Sequence, residues 1–188
     1  MEVAAVVLAA GASKRLGEPK QLVSLGGETL LERTVRVACE AGCLPVVVVV
    51  GAEYANVLEN SVLGDAVTVI NDQWQEGMAS SIRLGLRTLG LMSKDAEGAL
   101  LMTCDQPAVT VTHLLHLMSK PEVTASRYAG RNGVPAFFPA EYFDKLMELK
   151  GDAGARELLA GARYEWLENG ELDVDTPEDL ARARELFG

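Results

Sequence analysis

Two glycines and three cations follow the first apolar run of the chain. The glycines are Gly11 and Gly17, and the cations are Lys14, Arg15 and Lys20. The apolar run has the pattern of a buried strand, and the residues after it have the pattern of a flexible loop at its end. Glycine permits backbone conformations that a side chain forbids, so backbone N–H groups can close around a ligand. In a chain of formal net charge −10, a local cationic loop predicts a site for a small polyanion such as a nucleoside triphosphate.

The loop differs from two well-known phosphate-binding motifs. A P-loop has the pattern Gly-x-x-x-x-Gly-Lys-Ser/Thr, whereas here five residues separate Gly11 from Gly17 and Glu18 follows. The dinucleotide fingerprint Gly-x-Gly-x-x-Gly is absent as well. From the residues alone, the alternative that the glycines only turn the chain and that the cations face solvent stays open.

Carboxylates occur at two later places where strands are predicted to end. Asp105 follows the predicted strand Gly98–Met102, and open α/β sheets bind ligands at the carboxyl ends of their strands. Asp173 and Asp175 alternate with Val174 in a predicted strand, so both side chains can point the same way. Carboxylates suit a hard cation such as Mg²⁺, although an Asp before a turn is often only a turn former.

The length and composition predict one globular domain that comprises residues 1–188. Hydrophobic residues make up 48% of the chain and charged residues 23%, which is ordinary for a globular protein. The acidic balance argues against nucleic-acid binding, which needs a broad basic face. Three cysteines without a metal-binding spacing predict reduced thiols and a cytoplasmic protein. The longest apolar run, Cys43–Val50, is too short to cross a bilayer, so no membrane association is expected.

Strands and helices alternate along the first half of the chain. The predicted strands are Val3–Ala9, Pro45–Val50, Ala66–Ile70, Gly98–Met102, Val123–Arg127 and Val134–Phe138, the last two around a turn at Gly130–Gly133. The predicted helices are Glu28–Ala41, Glu53–Val62, Thr110–Ser119, one within Asn71–Arg87 that Ser80 or Ser81 would cap, and one that Thr176 would cap. This order predicts an α/β, Rossmann-like three-layer sandwich with a mostly parallel central sheet and helices on both faces.

The segment LAAGASKRLGEPK resembles the signature Leu-Ala-Ala-Gly-x-Ser-x-Arg-Met-Gly-x-x-Lys of the MobA-like nucleotidyltransferases. It departs from that signature at Leu16, which replaces Met. The resemblance implies that the loop wraps a nucleotide and that Arg15 and Lys20 hold its phosphates during catalysis. The residues that begin the implied nucleotide-binding loop are Leu8, Ala9, Ala10 and Gly11.

Three further segments resemble family motifs. The family element Trp-x-x-Gly-x-x-x-Ser, which contacts the nucleobase, is matched by Trp74, Gly77 and Ser81. The segment Asp105-Gln106-Pro107 resembles the motif whose Asp binds Mg²⁺, which implies a catalytic and metal-binding role for Asp105. The segment Asp173-Val174-Asp175 resembles the second metal-binding motif, and Asp175 is preferred over Asp173 as its ligand.

Two segments of the sequence favour the molybdenum cofactor cytidylyltransferase branch of the family. They are the Asp-Gln-Pro motif and the segment GDAGAR, which begins at Gly151. For GDAGAR, a helix cap at Asp152 and a surface position for Arg156 are an equally good interpretation. In the half of the chain expected to bind the acceptor, Val134 stands where the family commonly has His, and the missing polar group weakens any assignment of the acceptor by resemblance.

The resemblance therefore implies a Mg²⁺-dependent enzyme that transfers CMP from CTP to the terminal phosphate of molybdopterin and releases pyrophosphate. Its implied partners are CTP, a molybdopterin-type acceptor, and a molybdoenzyme or delivery chaperone. Three alternatives stay open: a sugar- or polyol-phosphate nucleotidyltransferase, a guanylyltransferase of the same cofactor, and a nonenzymatic accessory protein that carries molybdopterin.

Overall fold

The computed structural model describes residues 1–188, and a seven-stranded sheet lies at its centre. The strands are β1 (Val3–Ala9), β2 (Ser24–Leu25), β3 (Glu28–Thr29), β4 (Val46–Val50), β5 (Val67–Ile70), β6 (Gly98–Thr103), β7 (Thr124–Tyr128), β8 (Arg131–Pro139) and β9 (Arg163–Trp166). The helices are α1 (Leu30–Glu40), α2 (Tyr54–Glu59), α3 (Met78–Met92), α4 (Val111–Leu117), α5 (Phe143–Met147), α6 (Arg156–Leu159) and α7 (Pro177–Phe187). Short 3₁₀ helices span Lys20–Leu22, Trp74–Glu76 and Ala140–Tyr142.

The order of strands across the main sheet is β5-β4-β1-β6-β8-β7-β9. Strands β5, β4, β1 and β6 are parallel to one another, β8 is antiparallel to both of its neighbours, and β9 is parallel to β7. Strands β2 and β3 form a separate two-stranded sheet. The mostly parallel sheet confirms the predicted α/β, Rossmann-like architecture.

Helices cover both faces of the sheet and bury two apolar clusters against it. One cluster joins Val7 of β1 to residues of α1, α2 and α4, and the other joins Val6 to residues of α3, α5 and α6. Successive strand residues point to opposite faces, so a strand in the middle layer must be apolar on both sides. All five residues of the valine strand β4 are accordingly buried. The longest helix, α3, has 15 residues, and no helix has both the length and the apolar character that crossing a membrane requires.

Side-chain caps fix where α1 and α7 begin. The Thr29 hydroxyl accepts from the Glu32 N–H at 3.1 Å, and the Glu32 carboxylate accepts from the Thr29 N–H at 2.9 Å. This reciprocal pair satisfies two backbone donors that the first turn leaves free, so α1 begins at Leu30 and Glu28 lies in β3. Thr176 and Asp179 form the same arrangement at the start of α7, as predicted for Thr176.

Other predicted helix features are wrong. Helix α3 begins after Gly77, and Ser80 and Ser81 are buried within its first turns instead of capping it. Helix α6 begins after Ala155, so Asp152 is not its cap. Helix α2 covers only the middle of the predicted segment.

Two strand predictions need correction. The turn between β7 and β8 consists of Ala129 and Gly130, whose φ values are 46° and 74°, so β8 begins at Arg131 and not at Val134. The segment that holds Asp173 and Asp175 is not a strand; it forms one backbone hydrogen bond to the Asp105 carbonyl through the Val174 N–H. Strand β9, at the edge of the sheet, was not predicted, although charged and aromatic residues alternate along it.

Candidate active site at the carboxyl ends of the parallel strands

The glycine-containing loop after β1 is held by hydrogen bonds within itself and to the strand. The Gly17 N–H donates to the Ser13 carbonyl at 3.2 Å, and the Ser13 hydroxyl accepts from the Lys20 N–H at 2.8 Å. Gln21 is buried, and its side-chain amide donates to the Ala9 carbonyl at 2.8 Å. Gly17 has a φ of 84°, a conformation that glycine adopts without strain. These contacts fix the loop and orient Lys20 toward the sheet.

Lys20 lies between two carboxylates. Its ammonium donates at 2.8 Å to Asp105 Oδ2 and at 2.8 Å to Asp175 Oδ1, and Arg15 Nη2 lies 3.6 Å from Asp175 Oδ2. Lys20 and Asp105 are largely buried, with 17% and 14% of their side chains exposed. Burial by itself would lower the pKa of Lys20, but the charge of Asp105 and the hydrogen bonds to both carboxylates outweigh burial and raise that pKa.

Asp175 reaches this position because the backbone around it is fixed. The Val174 N–H donates to the Asp105 carbonyl at 2.9 Å, and the Val174 side chain is fully buried. The carboxylate of Asp179 accepts from the N–H groups of Asp175 and Thr176 at 3.2 and 2.9 Å. The start of α7 therefore positions the carboxylate that contacts Lys20.

Asp173 lies in different surroundings from Asp175. It lines a cavity together with Gln106 and Tyr128. Burial, followed by the charges of Asp105 and Asp175, raises the pKa of Asp173 to about 7. A group of this kind holds a proton more readily than an ordinary carboxyl group, because its ionised form is poorly solvated and faces like charges.

Two cavities meet at Asp105. The loop cavity has a volume of about 350 Å³ and lies beside the loop after β1. The hairpin cavity has a volume of about 300 Å³ and lies beside the β7–β8 hairpin. The residues that line both cavities are Met78, Thr103, Asp105 and Asp152. Two ligands bound in these cavities would meet at the Asp105 carboxylate.

Most of the residues predicted to bind nucleotide line the loop cavity. They are Leu8, Ala9, Ala10, Gly11, Lys20, Gly77, Ser81 and Asp105, and Trp74 lines it too. Arg15 does not line this cavity; its side chain is 72% exposed and reaches Asp175 from the solvent side. Asp175 contacts the site through Lys20 and lines neither cavity.

Gly77 and the segment after Gly151 are in direct contact. A Cβ atom on Gly77 would lie 2.4 Å from the Asp152 carboxylate and 2.6 Å from the Gly151 carbonyl oxygen, and Gly77 has a φ of 113°. The Ala79 N–H also donates to the Gly151 carbonyl at 3.0 Å. Only glycine fits here, and the contact brings Asp152 to the wall between the two cavities.

Gln106 is a site residue to which the sequence analysis assigned no role. It is 5% exposed, and its amide donates to the carbonyl oxygens of Val134 and Gly170 at 3.0 and 3.4 Å and to the Tyr128 hydroxyl at 3.3 Å. Its carbonyl oxygen accepts from the Thr103 hydroxyl at 3.1 Å. Gln106 thus joins the turn that carries Asp105 to the β7–β8 hairpin. A polar residue in the turn after a buried strand was the available signal.

Asn71 is a second residue that sequence reasoning missed. It is buried after β5, and its amide donates at 2.9 Å to both the Ser80 and the Ser81 hydroxyl oxygens. The Ser80 hydroxyl donates onward to the Gly77 carbonyl at 2.9 Å. These bonds hold the start of α3, and with it Ser81, against the loop cavity.

The chemistry of the carboxylate pair fits a divalent metal ion. Two oxygens that bond one nitrogen cannot be farther apart than the sum of the two bond lengths, which is well inside the roughly 10 Å limit for sharing one ion. No cluster of three or more metal-ligating side chains occurs in the chain. Mg²⁺ does not need one, because it commonly binds through one or two carboxylates together with water and substrate phosphates.

Comparison with known proteins identifies the family. The profile described as the MobA-like NTP transferase domain matches residues 5–169. The chain belongs to this family. It is accordingly a nucleotidyltransferase of the MobA-like type. Its relatives include a molybdenum cofactor cytidylyltransferase and a probable molybdenum cofactor guanylyltransferase.

Several relatives match this MobA-like chain over nearly its whole length. The purine catabolism protein PucB of Bacillus subtilis is 33% identical, over 95% of this chain and 94% of that protein. The nicotine blue oxidoreductase of Paenarthrobacter nicotinovorans is 32% identical, over 96% and 95%. The molybdenum cofactor cytidylyltransferase of Escherichia coli is 24% identical, over 97% and 95%.

Crystal structures of Rv0371c from Mycobacterium tuberculosis share the fold. One has a TM-score of 0.87 and 32% identity, covering 98% of this chain and 97% of that one. A second is a complex with manganese, with a TM-score of 0.81 and 30% identity over 98% and 99% of the two chains. A similar protein of this type therefore binds a divalent metal ion.

Proposed function

We propose that this protein transfers CMP from CTP to the terminal phosphate of molybdopterin and releases pyrophosphate. The observation that carries the proposal is that the loop cavity and the hairpin cavity share Asp105. A transferase must bring a donor and an acceptor together at one point, and the cationic loop beside the first cavity suits the polyphosphate of the donor.

The charges of the site suit an attack by the acceptor phosphate on the α-phosphorus of CTP. A phosphate monoester is largely ionised near pH 7, so the acceptor needs no general base. The protein must instead align the two substrates and compensate their negative charge. Lys20 and Arg15 are assigned to the pyrophosphate that departs, because positioned cations stabilise developing charge.

Asp105 and Asp175 are the residues that would hold Mg²⁺. When bound, the ion would neutralise charge on the phosphate oxygens. The manganese complex of Rv0371c supports a divalent ion in a protein of this type. Gln106 and the start of α7 would keep the two carboxylates at fixed positions relative to each other, since they fix the backbone around Asp105 and Asp175.

The preference for CTP rests on the wall of the loop cavity. Ala10 is 6% exposed and lines this cavity. Ala10 is therefore part of the surface against which a base in this cavity would pack. A methyl group there leaves less room than a glycine would, which favours the smaller pyrimidine. The Escherichia coli cytidylyltransferase, a relative across nearly the whole chain, supports the same assignment.

A pyrophosphate-release assay tests the proposal. Purified protein is incubated with CTP, GTP, ATP or UTP and with molybdopterin, sugar phosphates or polyol phosphates in every pairing. We expect CTP with molybdopterin to give the highest kcat/KM, at least tenfold above GTP, which corresponds to about 1.4 kcal/mol in the transition state. Lys20→Ala, which is expected to be about 10²-fold slower or more, is the low-activity variant for comparison.

Each other result identifies a different activity. Equal or faster pyrophosphate release with GTP than with CTP would make the protein a guanylyltransferase. Release only with sugar or polyol phosphates would make one of these the acceptor in place of molybdopterin. If the protein binds molybdopterin but releases no pyrophosphate with any of the four nucleotides, it is a carrier, and the transferase proposal is refuted.

A further inference from the structure

The ammonium group of Lys20 occupies the gap between the two carboxylates assigned to the metal. It bonds Asp105 and Asp175 at 2.8 Å each, and these are its only side-chain partners. The same side chain lines the loop cavity, where the triphosphate is proposed to bind. Lys20 therefore lies within reach of two sets of anions, the carboxylate pair and the donor phosphates.

A divalent ion and this ammonium group cannot share the gap. Both would be attracted by the same two carboxylate oxygens, and two cations a few ångströms apart in a partly buried site repel each other strongly. Lys20 has a long and flexible stem with three donor hydrogens, so it can exchange one anionic partner for another without a change in the backbone.

We propose that Lys20 is the resident counter-ion of the Asp105–Asp175 pair and that it couples the binding of nucleotide to the binding of the metal. In the nucleotide-free protein, Lys20 neutralises the pair and weakens its affinity for a divalent ion. Triphosphate in the loop cavity draws Lys20 away and frees the carboxylates. This inference rests on the proposed function, because it takes the metal ligands and the donor site from it.

Reciprocity follows from this coupling. If nucleotide raises the affinity for the metal by some factor, the metal raises the affinity for nucleotide by the same factor. The protein would thus bind the two together and hold neither tightly alone. Arg15, at 3.6 Å from Asp175, is too exposed to replace Lys20 as the counter-ion.

The test is the affinity for Mn²⁺ in the absence of nucleotide and acceptor. Free Mn²⁺ is measured by electron paramagnetic resonance for the wild type and for Lys20→Met, Lys20→Gln and Asp105→Asn. Lys14→Met is the matched control, because Lys14 lies exposed in the same loop and forms no ion pair.

We expect Lys20→Met to bind Mn²⁺ at least about tenfold more tightly than the wild type, because the competing unit charge is gone. Lys20→Gln should bind with intermediate affinity, since its neutral amide can still bond one carboxylate. Lys14→Met should equal the wild type, and Asp105→Asn should bind most weakly. Mn²⁺ should also raise the Tm of Lys20→Met more than that of the wild type, which provides a second readout on folded protein.

Two results would overturn the inference, and they are distinguishable. If the Lys20 variants bind Mn²⁺ no more tightly than the wild type while Asp105→Asn loses binding, the counter-ion role is wrong and the metal assignment survives. If neither the wild type nor Lys20→Met binds Mn²⁺, or if Asp105→Asn binds as well as they do, the metal assignment of the proposed function fails as well.

Discussion

The two carboxylates around Lys20 should contribute non-additively to both stability and activity, but in opposite senses. Removing both should cost more stability than the two single losses together, but little more activity than either single loss. Asp105→Asn or Asp175→Asn leaves the ammonium group one charged partner, whereas the double variant leaves it none. The Lys20 side chain is only 17% exposed, so water cannot fully replace the lost partners.

The expected sizes follow from these contacts. Each single substitution breaks one ion pair but leaves Lys20 the other carboxylate, so it should lower the free energy of unfolding by about 1 kcal/mol or less. The double variant buries an uncompensated charge, for which about 3 kcal/mol is expected, at the low end of the range for buried pairs because Lys20 retains some exposure. The coupling between the two substitutions in stability is then at least about 1 kcal/mol.

Activity should behave in the other way. If the two carboxylates hold one metal ion, each single substitution lowers kcat by at least about 10²-fold, and the double variant is little worse than either. Residues that act as a unit lose nearly all of their joint effect when the first of them is removed.

Urea unfolding monitored by tryptophan fluorescence, together with pyrophosphate release, measures both quantities on the same four proteins. Adding Lys20→Met to the double variant provides a further check, because it removes the unpaired charge and should recover most of the lost stability. Additive losses in stability, or a triple variant no more stable than the double one, would refute the electrostatic account of the site. Additive losses in activity would refute the shared ion.

Three further expectations concern separate parts of the site. Burial and neighbouring carboxylates raise the pKa of Asp173 to about 7, against about 3.9 for an unfolded Asp. The protein should therefore lose stability as the pH rises from about 4 through 7. By scanning calorimetry without divalent metal, Asp173→Asn should raise Tm by roughly 2–4 °C at pH 8 and leave it unchanged at pH 4. Asp65→Asn, at an exposed position, should leave Tm unchanged at both pH values. Gln106→Met leaves buried partners unsatisfied and should cost about 1–3 kcal/mol; it should also raise KM for the acceptor more than for the nucleotide, and an equal change in both would contradict its assigned place. Lys20→Ala should lower kcat/KM by about 10²-fold or more while Lys14→Ala has little effect, and similar losses would mean that the loop attracts anions without positioning them.

The local pattern of the sequence was enough to predict the fold class. The continuous valine run predicted a strand buried on both faces, and the alternation of strands with helices predicted parallel pairing. Thr176 and the acids after it predicted the start of α7, since caps depend on residues only three positions apart. The same locality explains why an anion site could be predicted at the loop after β1 from its glycines and cations.

Features that depend on contacts between distant segments were decided by the tertiary structure. Lys20 is separated by 85 and 155 positions from the carboxylates that it bonds, and Gln106 is 64 positions from one of its acceptors. Asp175, and not Asp173, bonds Lys20, in a segment without regular structure that is held by the bond from the Val174 N–H to the Asp105 carbonyl and by the Asp179 carboxylate. Side-chain directions in such a segment follow the long-range bonds that hold it and not the period of the sequence, so the position of Lys20 between the two carboxylates could be recognised only in the folded protein.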